Sequence, residues 1–283
     1  MSTTISHETA VLDRPVRSAA LGPTSIEVAR YVDAMLDEGE RFASAAEAGP
    51  LAIPIEACPG WTMRELVEHV GLVHLWAAAN IAFPSSSWIS VDGFDDLRAY
   101  WPAFCAGVPD DSELVEWYRS TLRHLVDVIE STPEDHRCLT FLPASSPIVM
   151  WARRQAFEIA VHRYDAESAT GISSWFDPSF AADLLDELLV GFAPKMRSSA
   201  ADGERVMRVE LDDAPSSYTI TISSTGVTTT AEAPDTDVHL VVRGSAADVA
   251  LLLWNRPAGP TVRYEGDERV LDVWAETCRI QWI

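Results

Sequence analysis

Four polar residues in the stretch WARRQAFEIAVHRYDAESATG, residues 151–171, have the types and spacing to do chemistry together. Arg154, Glu158, His162 and Asp165 follow one another at steps of four, four and three, which at 3.6 residues per turn is one stripe of a helix. A carboxylate and an imidazole one turn apart leave the same face about 6 Å from each other and can close on one metal ion. Standing alone, such a pair reads more plainly as a surface ion pair. Its neighbours argue otherwise, because Phe157, Ile159, Ala160 and Val161 leave little of the helix circumference for water. A carboxylate buried there needs a counter-charge, which a divalent cation could supply.

Two ligands do not make a site. The best third donor is His69, in the segment CPGWTMRELVEHVGLVH, residues 58–74. Glu65 forms an equivalent pair with His69, but Thr62 and Glu65 have capping-box spacing, so Glu65 is expected to close a helix N-terminus. His74 lies five residues past His69, about 140° around the helix, and is expected to be a packed histidine. His124 is a lesser candidate, at the edge of a third helix. Arg154 and Asp165 could orient Glu158 and His162, although for these two and Arg153 an ordinary structural ion pair explains the sequence as well.

These residues must be held by helices, and the chain supplies them. After residues 1–21, which lack periodicity and read as a loose extension, a helix is expected from Thr24 or Ser25, with Ile26, Ala29, Val32, Ala34 and Met35 as its apolar face. Prolines 50, 54 and 59 interrupt the chain before the second helix, which Trp61 and Leu66 would staple. A Ser-rich loop with Ser85, Ser86, Ser87 and Trp88 follows. A third helix starts near Asp110, with Glu113 in capping-box spacing, and buries Leu114, Trp117, Tyr118, Leu122, Leu125 and Ile129. Ser146 and Pro147 open the fourth and Gly171 ends it; a further helix runs from Pro178 to about Met196.

From Arg205 the hydrophobic period becomes two. Residues 218–223 and 227–231 read as a hairpin and 238–242 as another strand, followed by helices at 245–255 and 267–279. The fold class is therefore α+β. Three segments are expected: an extension at 1–21, a helical bundle at 22–200 and a small α/β domain at 201–283, with a seam near residues 197–205.

Composition excludes several classes. Acidic residues outnumber basic ones by 43 to 21, for a formal charge of −22; such a surface repels phosphate backbones and anionic lipid, so nucleic-acid and membrane partners are not expected. Cys58, Cys105, Cys138 and Cys278 are widely spaced and indicate neither a zinc ribbon nor a disulfide scaffold. No apolar run precedes Pro23, and no stretch of roughly 20 apolar residues appears. A cytoplasmic protein, monomeric or homodimeric, is expected.

The segments CPGWTMRELVEHVG, WARRQAFEIAVHRYDAE and VVRGSAADVALLLWNRP, in this order, resemble the mycothiol-dependent maleylpyruvate isomerase family. That resemblance implies a DinB-like four-helix bundle joined to a lobe similar to sterol-carrier proteins. It places the metal ligands at His69, Glu158 and His162, the positions already reached from spacing. It implies a divalent metal such as Zn2+ and mycothiol as thiol cosubstrate. It also implies a substrate-binding arginine in the C-terminal lobe, with Arg256 the matching position and Arg243 a weaker one. Arg256 and Trp151 are the residues expected to bind the cosubstrate, while Trp61 and Trp254 could wall a cleft. Many relatives carry histidine where this chain has Phe157, a change expected to remove a polar group near the metal. Twenty of the 21 basic residues are arginine, a bias that accords with an actinobacterial source and so with mycothiol.

The implied chemistry follows from an incomplete coordination shell. Two imidazoles and one carboxylate leave a position of a zinc-like ion open, where a thiol of ordinary pKa about 8.5 would lose its proton and attack a small electrophile. Isomerisation and S-transfer use the same shell. The alternatives are a thiol-independent metal hydrolase and a binding protein in which the metal only stabilises the bundle.

Overall fold

The computed structural model describes residues 28–83, 85–89, 93–133, 135–196, 203–231 and 237–280. The expected extension and the expected start of the first helix at Thr24 or Ser25 lie outside the described residues. The chain divides into two compact units, one of residues Ser25–Ser174 and one containing Trp175–Ile283.

The first unit is built on four long helices, α1 (Val28–Glu47), α2 (Met63–Ala82), α4 (Asp111–Ser131) and α5 (Pro147–Thr170), with a short α3 (Phe94–Leu97) between the second and the third of them. Contacts fix their directions. Tyr31 meets Phe157, Glu38 meets Arg163 and Arg41 meets Glu167, so α1 and α5 run the same way. Arg64 meets Asp111 and His74 meets Thr121, so α2 and α4 also run together. In the contacts of α2 with α5, His69 faces Glu158 and Trp76 faces Trp151, which makes this pair antiparallel. The parallel pairing of α2 with α4 is why a long connection through α3 joins them.

Local sequence explains the helix ends. Glu65 accepts from the Thr62 N–H at 2.8 Å, completing the expected capping box. Ser146 accepts from the Val149 N–H at 3.2 Å, Pro147 follows it, and Gly171 closes α5. At α4 the expected capping box does not form, since Asp110 makes no side-chain cap. The buried face of α1 is Tyr31, Val32, Met35, Gly39 and Phe42, while Ala29, expected to be inside, is exposed. A large tyrosine fills the interhelical space better than an alanine two residues earlier.

α5 is buried around most of its circumference, polar residues included. Its far end is held to α1 by charge: Arg163, wholly buried, donates to Glu38 at 2.5 Å and to Glu167 at 2.6 Å, and Glu167 also accepts from Arg41 at 3.1 Å. Burial pushes the Glu38 carboxyl above its usual range, against the pull of Arg163.

The second unit starts earlier than the sequence suggested. The helix at Pro178, assigned above to a bundle reaching residue 200, belongs with this unit; it is α6 (Pro178–Asp186), continued by a π turn (Glu187–Phe192) and a 3-10 turn (Ala193–Lys195). Its apolar residues Leu184, Leu185 and Leu188 are buried, and it packs against α7 (Ala246–Leu253), so the boundary falls at Ser174/Trp175. The strands are β1 (Arg205–Leu211), β2 (Ser217–Ser223), β3 (Gly226–Thr230), β4 (Leu240–Gly244) and β5 (Arg263–Gly266), in sheet order β3-β2-β1-β4-β5. All neighbours are antiparallel except β1 and β4, which pair in parallel with Met207 opposite Leu240. α8 (Arg269–Thr277) completes the unit, with the Trp274 indole donating to Leu253 O at 2.8 Å.

Gly71 of α2 leaves room for an indole of α4: a Cβ there would lie 2.2 Å from Trp117 Cζ3. An indole ring cannot deform out of the way. Gly71→Ala should therefore destabilise the bundle by about 1–3 kcal/mol, outweighing the roughly 1 kcal/mol that alanine gains in a helix interior, and the loss should appear as a lower urea midpoint with unchanged slope.

Candidate active site

Because α2 and α5 are antiparallel, donors from the N-terminal half of one reach the middle of the other. His69 Nε2 lies 3.4 Å from Glu158 Oε1, and His162 Nε2 lies 3.3 Å from the same oxygen. The two imidazole rings stand nearly perpendicular, centroids 5.4 Å apart. One donor atom from each of His69, Glu158 and His162 falls within a sphere of mutual separations no greater than 4.8 Å. The cluster is shielded without being sealed: side-chain exposure is 18% for His69, 12% for His162 and 6% for Glu158.

Each member has a partner behind it. Arg154, one turn before Glu158 on α5, donates to Glu158 Oε2 at 2.8 Å, leaving Oε1 for the two histidines. His162 Nδ1 faces Asp165 Oδ2 at 3.0 Å, and Asp165 is fully buried. A carboxylate only accepts, so Nδ1 donates to Asp165, and Nε2 is the nitrogen that would meet a cation on giving up the proton it directs at Glu158 Oε1. Trp61 lies against His69 with centroids 4.8 Å apart.

The electrostatics follow from burial opposed by these partners. Burial alone would keep Glu158 protonated, but Arg154, His162 and His69 outweigh it and hold its carboxyl well below the usual range. Burial also dominates at His69 and lowers its pKa. At His162 burial acts in the same sense but is overcome by Asp165, Cys58 and Glu158, which raise it well above the ordinary value. An ionised carboxylate with two imidazole nitrogens facing it fits the oxygen and nitrogen donor set of a zinc-like cation.

The sequence had brought Arg154, Glu158, His162, Asp165 and His69 together, and the structure places all five in this one cluster. Other candidates go elsewhere. Trp151 is completely buried, packed with Trp76, Trp88 and Phe141, and its indole donates to Leu139 O at 3.0 Å. With no exposed surface, Trp151 packs here as a core residue and not as a cosubstrate contact. His74 is packed as expected, its Nδ1 3.2 Å from Thr121 Oγ1 and its pKa pushed down to about 3 by burial. His124 packs edge-on to Trp101 and tilted against Phe104, outside the cluster. Phe157 points to α1, 6.0 Å from the Tyr31 ring, with Arg153 over its other side. Adjacent helix residues diverge by about 100°, so Phe157 does not change the polarity beside Glu158.

In the second unit Arg256 is half-buried and donates to Trp254 O at 2.8 Å. Arg243 is paired with Glu210 and Glu265. Trp254 is buried, 5.8 Å from the Phe192 ring.

Sequence reasoning missed Cys58. Its Sγ lies 3.9 Å from Asp165 Oδ2, and Cys58, His162 and Asp165 form a second close group sharing His162 with the first. The clue available was position, since Cys58 belongs to the same CPGW turn as Trp61.

A bundle carrying a His, Glu, His cluster on antiparallel helices, joined in one chain to a small mixed-sheet unit, is an α+β architecture. Residues 32–167 match the family profile described as mycothiol maleylpyruvate isomerase N-terminal domain, and residues 179–272 match that of the C-terminal domain of the same proteins. The chain belongs to the mycothiol maleylpyruvate isomerase family. Two solved structures share the fold: a crystal structure of the mycothiol-dependent maleylpyruvate isomerase and one of its histidine-to-alanine variant. Each is 17% identical and matched over 85% of this chain and 93% of its own, with TM-scores of 0.56 and 0.57. No curated relative matches the sequence.

Arg154 balances a buried charge, so Arg154→Met should cost about 3–5 kcal/mol in the metal-free protein at neutral pH. Glu158 would lose its cation and its pKa would rise. The deficit relative to wild type should therefore grow as pH rises from below about 4.5, where Glu158 is neutral in the variant, toward 7; urea midpoints across that range would measure it.

Proposed function

We propose that this chain is a metal- and mycothiol-dependent enzyme that acts on a small electrophile, isomerising an activated cis double bond or transferring the thiol to its substrate. The observation that carries the reading is the convergence of His69, Glu158 and His162, drawn from two helices, with their donor atoms within 4.8 Å. Family membership supports the thiol and the isomerase activity.

His69 Nε2, Glu158 Oε1 and His162 Nε2 would hold the cation, zinc fitting this donor set best. When bound, such an ion lowers the pKa of a thiol and fixes its sulfur beside the electrophile. The rest falls to the chain's own residues. Arg154 keeps Glu158 ionised and turned toward the histidines. Asp165 holds the His162 tautomer. Trp61 limits the tilt of His69 and keeps water from one side of it. Arg256, at the position the family resemblance marks, is assigned to pair with a substrate carboxylate.

The nucleophile is the sulfur of the cosubstrate. In isomerisation it adds to the double bond, rotation follows about the resulting single bond, and elimination returns the thiol unchanged. In transfer the new carbon–sulfur bond persists. Reaction mixtures distinguish these directly, because only transfer consumes thiol in proportion to product.

Assay of the zinc-loaded protein on cis-unsaturated keto acids should show turnover with mycothiol and none without it. His69→Ala, still folded, should lose at least about 100-fold in kcat/KM, since partners outside the ligand shell alone cost 10–100-fold. Undiminished turnover without thiol would overturn the thiol-dependent reading and leave the hydrolase alternative. Ligand binding unchanged in an inactive wild type and in His69→Ala would establish the binding-protein alternative.

A further inference from the structure

The CPGW turn reaches both imidazoles of the cluster. Its backbone is tightly specified: Cys58 N–H donates to Ile55 O at 3.1 Å, Trp61 N–H donates to Cys58 O at 2.9 Å, and Pro54 and Thr62 form an isolated antiparallel bridge. Gly60 between them has φ of +90°, a conformation that a side chain would strain. The turn therefore delivers two side chains to fixed places. Trp61 packs on His69, and Cys58 reaches Asp165 beside His162.

We propose that Cys58 is a positioning residue for the cation ligands, its thiol donating to Asp165 and so holding the carboxylate in line with His162 Nδ1. This inference rests on the cation-binding reading above. Asp165 has no exposed side-chain surface, so water cannot readily replace a lost donor. The 3.9 Å separation is that of a weak S–H hydrogen bond, but the oxygen it reaches is the one that receives His162 Nδ1–H at 3.0 Å. Restricting Asp165 restricts the imidazole plane, and with it the direction in which His162 Nε2 points. The remaining cysteines have no such place: Cys105 and Cys278 are buried in packing, and Cys138 is half-buried.

The test is zinc affinity, measured by competition with a chromogenic chelator, for wild type, Cys58→Ala, Asp165→Asn and the double variant. Each single change should weaken zinc binding about 10-fold, the low end for partners of metal ligands. The double variant should lose less than the product of the two single losses, because Cys58 and Asp165 hold the same imidazole. Cys58→Ser, which keeps a donor of shorter reach, should fall between wild type and Cys58→Ala. The metal-free melting temperature of Cys58→Ala should stay within about 2 °C of wild type.

Wild-type affinity in Cys58→Ala, equal losses in the Ser and Ala variants, or additive losses in the double variant would each overturn the proposal while leaving the cation site standing. A wild type that binds no zinc would overturn both. Should Asp165→Asn not fold, the ranking of the Ser and Ala variants still decides.

Discussion

The structure depends on one buried carboxylate. Glu158 sits within a helix that is surrounded on most sides, where an isolated anion would be prohibitively costly. It is tolerated because Arg154 from its own helix and two imidazoles, one from an antiparallel neighbour, converge on its two oxygens. The direction of α2 relative to α5 is thus a chemical requirement as well as a packing outcome. Reversing it would leave Glu158 beside Trp76 and His69 beside the aromatic cluster.

The same seam separates chemistry from scaffolding. Seven residues from His69 along α2 lies Trp76, and seven residues from Glu158 along α5 lies Trp151, about 10.5 Å away at 1.5 Å per residue. Those two indoles meet each other and donate to backbone oxygens of Ile89 and Leu139, pinning loops to the helices. At the other end of α5, Arg163 ties the helix to Glu38 of α1. Between an aromatic anchor and an ionic one, α5 has little freedom to slide, so the donor separations that a cation would need are set before it arrives.

Much of this could be read from residue order. The stripe of Arg154, Glu158, His162 and Asp165 is a matter of helical period, and the capping box at Thr62 and Glu65 correctly removed Glu65 from consideration. What the sequence could not express was direction across space. Trp151 shares the stripe with Glu158, but whether a tryptophan walls a cleft or fills a core depends on Trp76, Trp88 and Phe141, residues that only the fold brings near. Phe157, next to Glu158 in sequence, points about 100° away around the helix, toward α1. Cys58 is distant from Asp165 in sequence and is brought to it by a four-residue turn that periodicity does not describe. The helix at Pro178 carries an apolar stripe that suits either unit, and its packing on α7 decides the matter. β5 is short and at the sheet edge, with no alternation to mark it.

The central claim is that His69, Glu158 and His162 together hold a divalent cation with room left for sulfur. X-ray absorption at the zinc edge of the loaded protein tests it most directly. The account predicts a low-coordinate zinc with two imidazoles, one carboxylate and no sulfur scatterer, gaining a sulfur at about 2.3 Å when mycothiol is added. A fully hydrated ion, or a spectrum that mycothiol leaves unchanged, would contradict it.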